Sequence, residues 1–76
     1  MEDLVDYIVR SLVDHPDDVV VEAVEDTGGV TYEVRVAGPD AGKVIGRGGR
    51  IIQSIRTVVK AVAAKSDQRA YVELVG

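Results

Sequence analysis

The sequence predicts an α+β fold in which three helices cover one face of a three-stranded mixed sheet, in the order α-β-β-α-α-β. Apolar residues recur at helical spacing in 4–13 and 51–63, and they alternate at strand spacing in 30–37 and 70–75. The chain has 76 residues, of which 46% are apolar and 29% charged, which is the size and composition of a small globular protein. We therefore expect residues 1–76 to form one domain.

The first helix is predicted from an apolar stripe that repeats every three to four residues over three turns. The stripe consists of Leu4, Val5, Ile8, Val9, Leu12 and Val13. Pro16 follows it, and the residue before a proline avoids helical backbone angles. We expect the helix to end at about Asp14 or His15.

Two strands are predicted next, at residues 19–25 and 30–37. The first is rich in valine, and the second alternates apolar and polar residues. Gly28 and Gly29 lie between them, and two consecutive glycines allow the positive φ angles of a tight two-residue hairpin. The two strands should therefore pair antiparallel.

The next segment is predicted to contain two helices separated by glycines. Gly38 and Pro39 end the second strand, and Asp40 is a suitable N-cap for a short helix over residues 41–45. After Gly46–Gly49 a second apolar stripe begins, which predicts a longer helix ending near Lys65. This stripe consists of Ile51, Ile52, Ile55, Val58, Val59, Val62 and Ala63.

The last strand is predicted at residues 70–75, with Ala70, Val72 and Leu74 on one side. The helical pair between strands two and three forms a crossover connection. Such a connection allows strand three to lie parallel to strand two.

The composition excludes several classes of protein. With no cysteine, the chain has no disulfide, thiolate metal site or thiol nucleophile. Its longest run without charge has six residues, too few for a membrane span or a signal-peptide core, so we expect a cytoplasmic location. His15, the single histidine, lies among aspartates at no recognised metal spacing and has no nucleophilic partner in the pattern, so we expect no metal, no cofactor and no catalysis.

Charge is divided unevenly between two halves of the chain. Residues 1–40 contain two basic and eleven acidic residues, a net charge of −9. Residues 41–76 contain seven basic and two acidic residues, a net charge of +5, and no acid occurs in 41–66. A local positive field attracts phosphate over about one Debye length, roughly 8 Å at physiological salt, even on a protein with a net charge of −4.

The glycine-rich segment resembles two phosphate-binding motifs but matches neither. A P-loop requires G-x-x-x-x-G-K-[ST], but residues 38–44 have one residue too few between the glycines and no hydroxyl for magnesium. A dinucleotide fingerprint requires G-x-G-x-x-G after a strand. Residues 46–51 lack its third glycine and follow a predicted helix.

A helix-Gly-x-x-Gly-helix turn explains more of the segment. Without Cβ atoms, the glycines let the sugar-phosphate chain of a nucleic acid approach the backbone N–H groups, and the next helix begins with free N–H donors and a positive dipole end. Arg47 and Arg50 add donors for phosphate. A simple helix break would explain the glycines, but it would not explain their basic, acid-free surroundings.

The run V-I-G-R-G-G-R-I-I at residues 44–52 resembles the K-homology (KH) signature V-I-G-x-x-G-x-x-I. The order of elements resembles the type II KH fold over the whole chain. A free-standing domain of this length is similar to the small bacterial single-KH RNA-binding proteins of the KhpA/YlqC family. The resemblance implies binding of about four unpaired nucleotides, the backbone on the Gly-x-x-Gly loop and the bases on an apolar groove.

Carried over to this sequence, the resemblance assigns RNA-binding roles to a loop, its flanking cations and a groove floor. The loop is Gly46, Arg47, Gly48 and Gly49; the flanking cations are Lys43 and Arg50, with Arg56 further along the helix; the floor is Val44, Ile45 and Ile52. Residues 65–69 would be the family's variable loop. The absence of Trp and Phe favours aliphatic contact with bases over aromatic stacking.

The resemblance also implies the kind of activity and partner. We expect non-catalytic binding of single-stranded RNA, as an RNA chaperone or post-transcriptional regulator. The alternative is a protein-protein adaptor that uses a KH fold. The implied partner is either a second copy, giving a homodimer, or a larger Jag-like KH protein (KhpB), giving a heterodimer.

Overall fold

A computed structural model of the protein describes residues 1–75 and has the predicted order of elements. Its helices are α1 (Glu2–Leu12), α2 (Ala41–Ile45) and α3 (Arg50–Ala64), and its strands are β1 (Val20–Asp26), β2 (Gly29–Arg35) and β3 (Ala70–Leu74). Short 3-10 turns lie at Pro16–Asp18, Gly38–Asp40 and Arg47–Gly49. The α+β class is confirmed.

The three strands form one mixed sheet in the order β1-β2-β3. Strand β1 pairs antiparallel with β2, and β3 pairs parallel with β2, as the hairpin and the crossover predicted. Strand β2 is therefore central, which agrees with its buried Tyr32 and Val34. Both outer strands, β1 and β3, have one free edge.

The core lies between the sheet and the helices. Along α3 the buried residues follow the helical period, and along β2 and β3 they alternate, so each element turns one apolar side inward. The buried apolar residues of the described chain are Val5, Val9, Val19, Tyr32, Val34, Val44, Ile52, Ile55, Val59, Ala63, Ala70 and Val72. Valine and isoleucine make up nine of these twelve residues.

Helix α1 ends at Leu12, two to three residues before the predicted end. Val13 is already extended, and the next two backbone N–H groups donate to the carboxylate of Asp40 instead of to helical carbonyls. A tertiary hydrogen bond therefore ends the helix before Pro16 can.

The hairpin differs from the predicted Gly28–Gly29 turn. The turn residues are Thr27 and Gly28, and Gly29 already pairs with Asp26 at the start of β2. Gly28 does not have a positive φ angle. The side chain of Asp26 accepts a hydrogen bond from the Gly28 N–H at 2.7 Å, and this Asx turn forms the bend that the glycine pair was expected to form.

Among residues 1–75, no helix combines the length and the apolar character that crossing a bilayer demands.

Candidate nucleic-acid interface

The glycine-rich loop connects α2 to α3 through backbone angles that only glycine adopts easily. Gly46 has φ 75° and ψ 172°, and Gly48 and Gly49 are both left-handed, with φ 65° and 77°. Two backbone hydrogen bonds fix the bend, from the Gly46 N–H to the Gly42 carbonyl at 2.9 Å and from the Gly49 N–H to the Gly46 carbonyl at 3.1 Å. The loop is thus a defined turn.

Glycine is suited to this loop for two different structural reasons, one at Gly46 and one at Gly48 and Gly49. A Cβ on Gly46 would overlap the side chain of Ile51, so this glycine allows α2 and α3 to approach each other. A Cβ on Gly48 or Gly49 would meet no atom within 4 Å. These two glycines leave open space above the backbone at the start of α3, where free N–H groups favour an anion.

The four predicted cations divide into two pairs. Arg47 and Arg50 are exposed, and within residues 1–75 neither forms an ion pair. The ammonium of Lys43 lies 3.4 Å from the carboxylate of Asp14. The half-buried Arg56 donates from Nε to the Val72 carbonyl at 3.0 Å, on the free edge of β3. Two cations are therefore available to a ligand, and two already have protein partners.

The residues of the predicted groove floor differ in how exposed they are. Val44 and Ile52 are buried in the core, with 1% and 6% of their surface exposed, because they lie on the inner sides of α2 and α3. Ile45 is 40% exposed and is the member of the predicted floor that offers apolar surface to a ligand. The V-I pair of the motif thus has one core residue and one surface residue.

Asp40 fastens the start of α2 to the end of α1, a role that sequence analysis missed. It stands at the predicted N-cap position, but its side chain makes no capping hydrogen bond. The fully buried carboxylate instead accepts from the backbone N–H groups of Asp14 and His15, at 3.2 and 2.9 Å, and lies 3.0 Å from the His15 ring. No local pattern identifies a carboxylate whose partners lie about 25 residues earlier in the chain.

The environment of Asp40 favours its charged form. Burial raises the pKa of this carboxyl, but the hydrogen bonds from the His15 side chain and the two backbone N–H groups outweigh burial and lower the pKa below its ordinary value. Asp40 is therefore a buried, fully hydrogen-bonded anion that holds α2 in place. Helix α2 leads directly into the glycine loop.

The sequence comparisons agree with this geometry. A family model described as "KhpA/KhpB, KH domain" matches residues 2–74. The chain belongs to this family. A protein of Clostridium acetobutylicum, named "RNA-binding protein KhpA", is 47% identical over 75 residues, which cover 99% of this chain and all of the relative.

Two further relatives carry the same name, "RNA-binding protein KhpA". The one from Listeria monocytogenes is 45% identical over 75 residues, covering 99% of both chains. The one from Chlamydia caviae is 40% identical over 74 residues, covering 97% of this chain and 95% of the relative. The predicted membership of the KhpA group within the KH proteins is confirmed.

In this member of the KhpA/KhpB family, no group of acidic or histidine side chains among residues 1–75 is arranged to hold a metal ion. His15 packs its ring against Asp40 and remains half exposed.

Proposed function

We propose that this protein binds single-stranded RNA without catalysis, through the loop Gly46–Gly49 and the surface beside it, and acts as an RNA chaperone or post-transcriptional regulator. The observation that carries the proposal is the loop itself. Two left-handed glycines expose backbone at the start of α3, between two arginines that have no acidic partner within the described chain. The names of the relatives support RNA as the ligand.

The phosphate backbone is bound at the loop. The N–H groups at the start of α3 have no carbonyl of their own helix to bond, and they favour the negative oxygen atoms of a phosphate. Arg47 and Arg50 add charged donors on either side. If two to four phosphates are neutralised, log K should fall with log salt at a slope of roughly −1.5 to −3, about −0.7 per phosphate.

The bases lie beside the loop and must be unpaired. Ile45 supplies exposed aliphatic surface there, and a base stacked in a duplex cannot reach it without a cost of a few kcal/mol. The acidic half of the chain would also repel the second strand of a duplex. In a competition titration at fixed salt, unlabelled single-stranded RNA should displace a labelled strand better than its duplex does. Equal competition would mean that only phosphate charge is recognised.

One small groove gives limited affinity, so we propose that the protein works together with another KH domain, either in a homodimer or with a larger KhpB-like chain. Linked sites raise the effective concentration of the second contact. The same function locates the protein in the cytoplasm, where bacterial RNA is made and used.

The loop is tested by reversing its charge. The double variant Arg47→Asp/Gly48→Asp should lose RNA binding in a fluorescence anisotropy titration, because two carboxylates would face the phosphates. Aspartate tolerates the left-handed backbone better than most residues, so the fold should survive. The matched control Arg35→Asp/Gly38→Asp makes the same change in net charge at exposed positions outside the loop, and it should bind within about threefold of wild type.

A second double variant keeps the loop testable if the first one does not fold. Arg47→Asp/Arg50→Asp changes two exposed side chains and no left-handed position. If either double variant folds, as judged by circular dichroism, and binds RNA like wild type, the loop is not the RNA site. If the Arg35→Asp/Gly38→Asp control loses binding equally, net charge and not the loop determines affinity.

A further inference from the structure

Strand β1 has a free backbone edge along its whole length. It pairs with β2 on one side only, and six of its seven residues are exposed, Val21 being half-buried. Within residues 1–75, its backbone forms no hydrogen bond with the backbone of any element other than β2. In an antiparallel pair, alternate residues direct their N–H and C=O groups away from the partner strand. Every second residue of β1 therefore offers a donor and an acceptor to a further strand.

The edge of β1 lacks the usual protections against strand addition. Natural edge strands carry lysine, proline or a bulge. Strand β1 has the sequence V-V-E-A-V-E-D, and its pairing runs without a break from Val20 opposite Arg35 to Asp26 opposite Gly29. The free edge of β3 differs, because a side chain of α3 donates to a β3 carbonyl there. Strand β1 is thus a long, regular edge that another strand can extend.

Negative charge along this edge has no partner in the described chain. Glu22, Glu25 and Asp26 lie on β1, which carries no cation, and none of the three forms an ion pair within residues 1–75. Glu22 also stands in register with Glu33 on β2, and like charges directly opposite each other destabilise a sheet. A cation on the open side of Glu22 would relieve this repulsion. The chemistry of the edge therefore selects a basic neighbour.

The other side of β1 continues the apolar core to the edge. Val21 and Ala23 pair with Val34 and Tyr32, which are both buried, so all four lie on the side of the sheet that faces the helices. Ala23 is nevertheless exposed, because β1 is the last strand on this side of the sheet. An added strand would lie about 4.8 Å away, and apolar side chains on this side would cover Ala23.

We propose that the edge of β1 binds a basic, extended segment of another protein as a fourth strand of the sheet. Its lysine or arginine side chains lie on the side of Glu22 and its apolar side chains on the side of Ala23, so the two kinds of residue alternate. A second copy of this chain fits poorly, because it would bring three acids of each edge together. RNA is repelled by the same acids. This interaction is separate from RNA binding at the loop.

A synthetic peptide tests strand addition directly. The labelled heptapeptide K-V-K-V-K-V-K should bind wild type in an anisotropy titration at fixed salt. Its matched control carries N-methyl groups on the fourth and fifth residues, which removes one N–H donor from each edge of the peptide and leaves charge and side chains unchanged. The control should bind about tenfold more weakly. Equal affinities would mean that charge alone attracts the peptide, and the proposal would be wrong.

Two variants test which edge of the sheet is used. Glu22 and Glu73 stand in register on either side of Glu33, at opposite edges, and both are exposed. Glu22→Lys should weaken binding of the heptapeptide about five- to tenfold, because it replaces an attraction by a repulsion. Glu73→Lys makes the same change in net charge and should bind within about twofold of wild type. Equal losses in two variants that fold by circular dichroism would contradict the assignment to β1.

Amide hydrogen exchange by NMR locates the bound peptide and needs no variant. Saturating heptapeptide should slow exchange at alternate residues of β1 and leave β3 unchanged. Protection at β3, or none at β1, would overturn the proposal. If β1 becomes protected without peptide as protein concentration rises, a second copy occupies the edge and the basic segment is the wrong occupant. Arg47→Asp/Arg50→Asp should bind the heptapeptide at least as well as wild type, so the RNA site and this edge are tested separately.

Discussion

The two halves of the chain use their charges differently. In residues 1–40, most of the eleven acids are exposed, and one of the two cations, Arg10, is paired with Asp6 at 2.9 Å. In residues 41–76, Arg47 and Arg50 stand beside exposed loop backbone with no acidic partner in the described chain. The position of charge, and not the net charge of −4, therefore decides whether the surface attracts a polyanion.

Two contacts of the acidic half lie next to the start of the basic half. The carboxylate of Asp40 joins the end of α1 to the start of α2, and Asp14 pairs with Lys43 across the same junction. The first contact is buried and the second is exposed. The acidic half thus makes two contacts near the loop, one that positions α2 and one that pairs with the cation Lys43.

The largest expected effect is the loss of stability on substituting a glycine of the loop, and its size should differ between Gly46 and Gly48. Gly46 has backbone angles that are essentially restricted to glycine, and a Cβ there would overlap Ile51, so Gly46→Ala should cost about 3 kcal/mol of unfolding free energy. Gly48 is left-handed in open space, so Gly48→Ala should cost about 1 kcal/mol. Urea unfolding checks both values. Equal costs would contradict the distinction between a packing glycine and an exposed one.

The fold could be predicted because short sequence patterns determine the type of each element and its buried side. Helical spacing over residues 51–63 and alternation over 30–36 each determine which side of an element is buried, and the hairpin and crossover then determine how the strands pair. The errors in element boundaries arose where a distant partner intervened. Asp40 ended α1 early, and a hydrogen bond from the Gly28 N–H to the Asp26 side chain replaced the expected glycine turn.

A smaller loss of stability is expected when the contact between Asp40 and the end of α1 loses its charge. Asp40→Asn keeps one acceptor oxygen but places an NH2 group against N–H donors, so the urea midpoint should fall. Asp17→Asn removes the same charge from an exposed position in the neighbouring turn and is the control. If the two variants have the same midpoint, the Asp40 contact does not stabilise the fold.

The pH dependence of stability is a second test of the Asp40 contact. Because the pKa of Asp40 is lower in the folded protein than its ordinary value of 3.8, its charged form stabilises the fold above that value. This stabilisation is lost as the pH falls below 3.8 and toward the folded pKa. The difference between wild type and Asp40→Asn should therefore shrink when urea midpoints are compared at pH 7 and at pH 3. A difference that grows on acidification would contradict the assignment.

A modest effect on affinity is expected from the exposed contact. Removing the carboxylate that faces Lys43, in Asp14→Asn, should raise RNA affinity about two- to threefold, because an exposed ion pair contributes under about 1 kcal/mol. Asp17→Asn again makes the same change in net charge, without an ion pair, and should raise affinity less. Equal increases in both variants would show that Asp14 acts only through overall charge.

The site could be predicted less completely than the fold. The glycines and the arginines are adjacent in sequence, so the motif identifies them together. The availability of each side chain depends on contacts that the motif does not contain, such as Asp14 with Lys43 and the β3 edge with Arg56.

The smallest expected effect lies in a row of glutamates on the side of the sheet away from the helices. Glu33 on the central strand pairs in register with Glu22 on one side and with Glu73 on the other, so three like charges stand in a row. Like charges directly opposite each other destabilise a sheet. Glu33→Gln removes both repulsions and should raise stability by about 0.5 kcal/mol, whereas Glu22→Gln and Glu73→Gln remove one each and should gain about half as much.

Salt and RNA binding distinguish this effect from a change in packing. In 1 M salt the Debye length is only about 3 Å, so urea unfolding should show little remaining gain for Glu33→Gln. RNA affinity should stay within about twofold, since the row of glutamates lies outside the loop. If a terminal variant stabilises more than the central one, repulsion along the row is not the cause. If Glu33→Gln instead strengthens RNA binding more than Asp14→Asn does, the acids weaken RNA binding through their summed electrostatic field. The ion pair between Asp14 and Lys43 would then not explain the effect of Asp14→Asn.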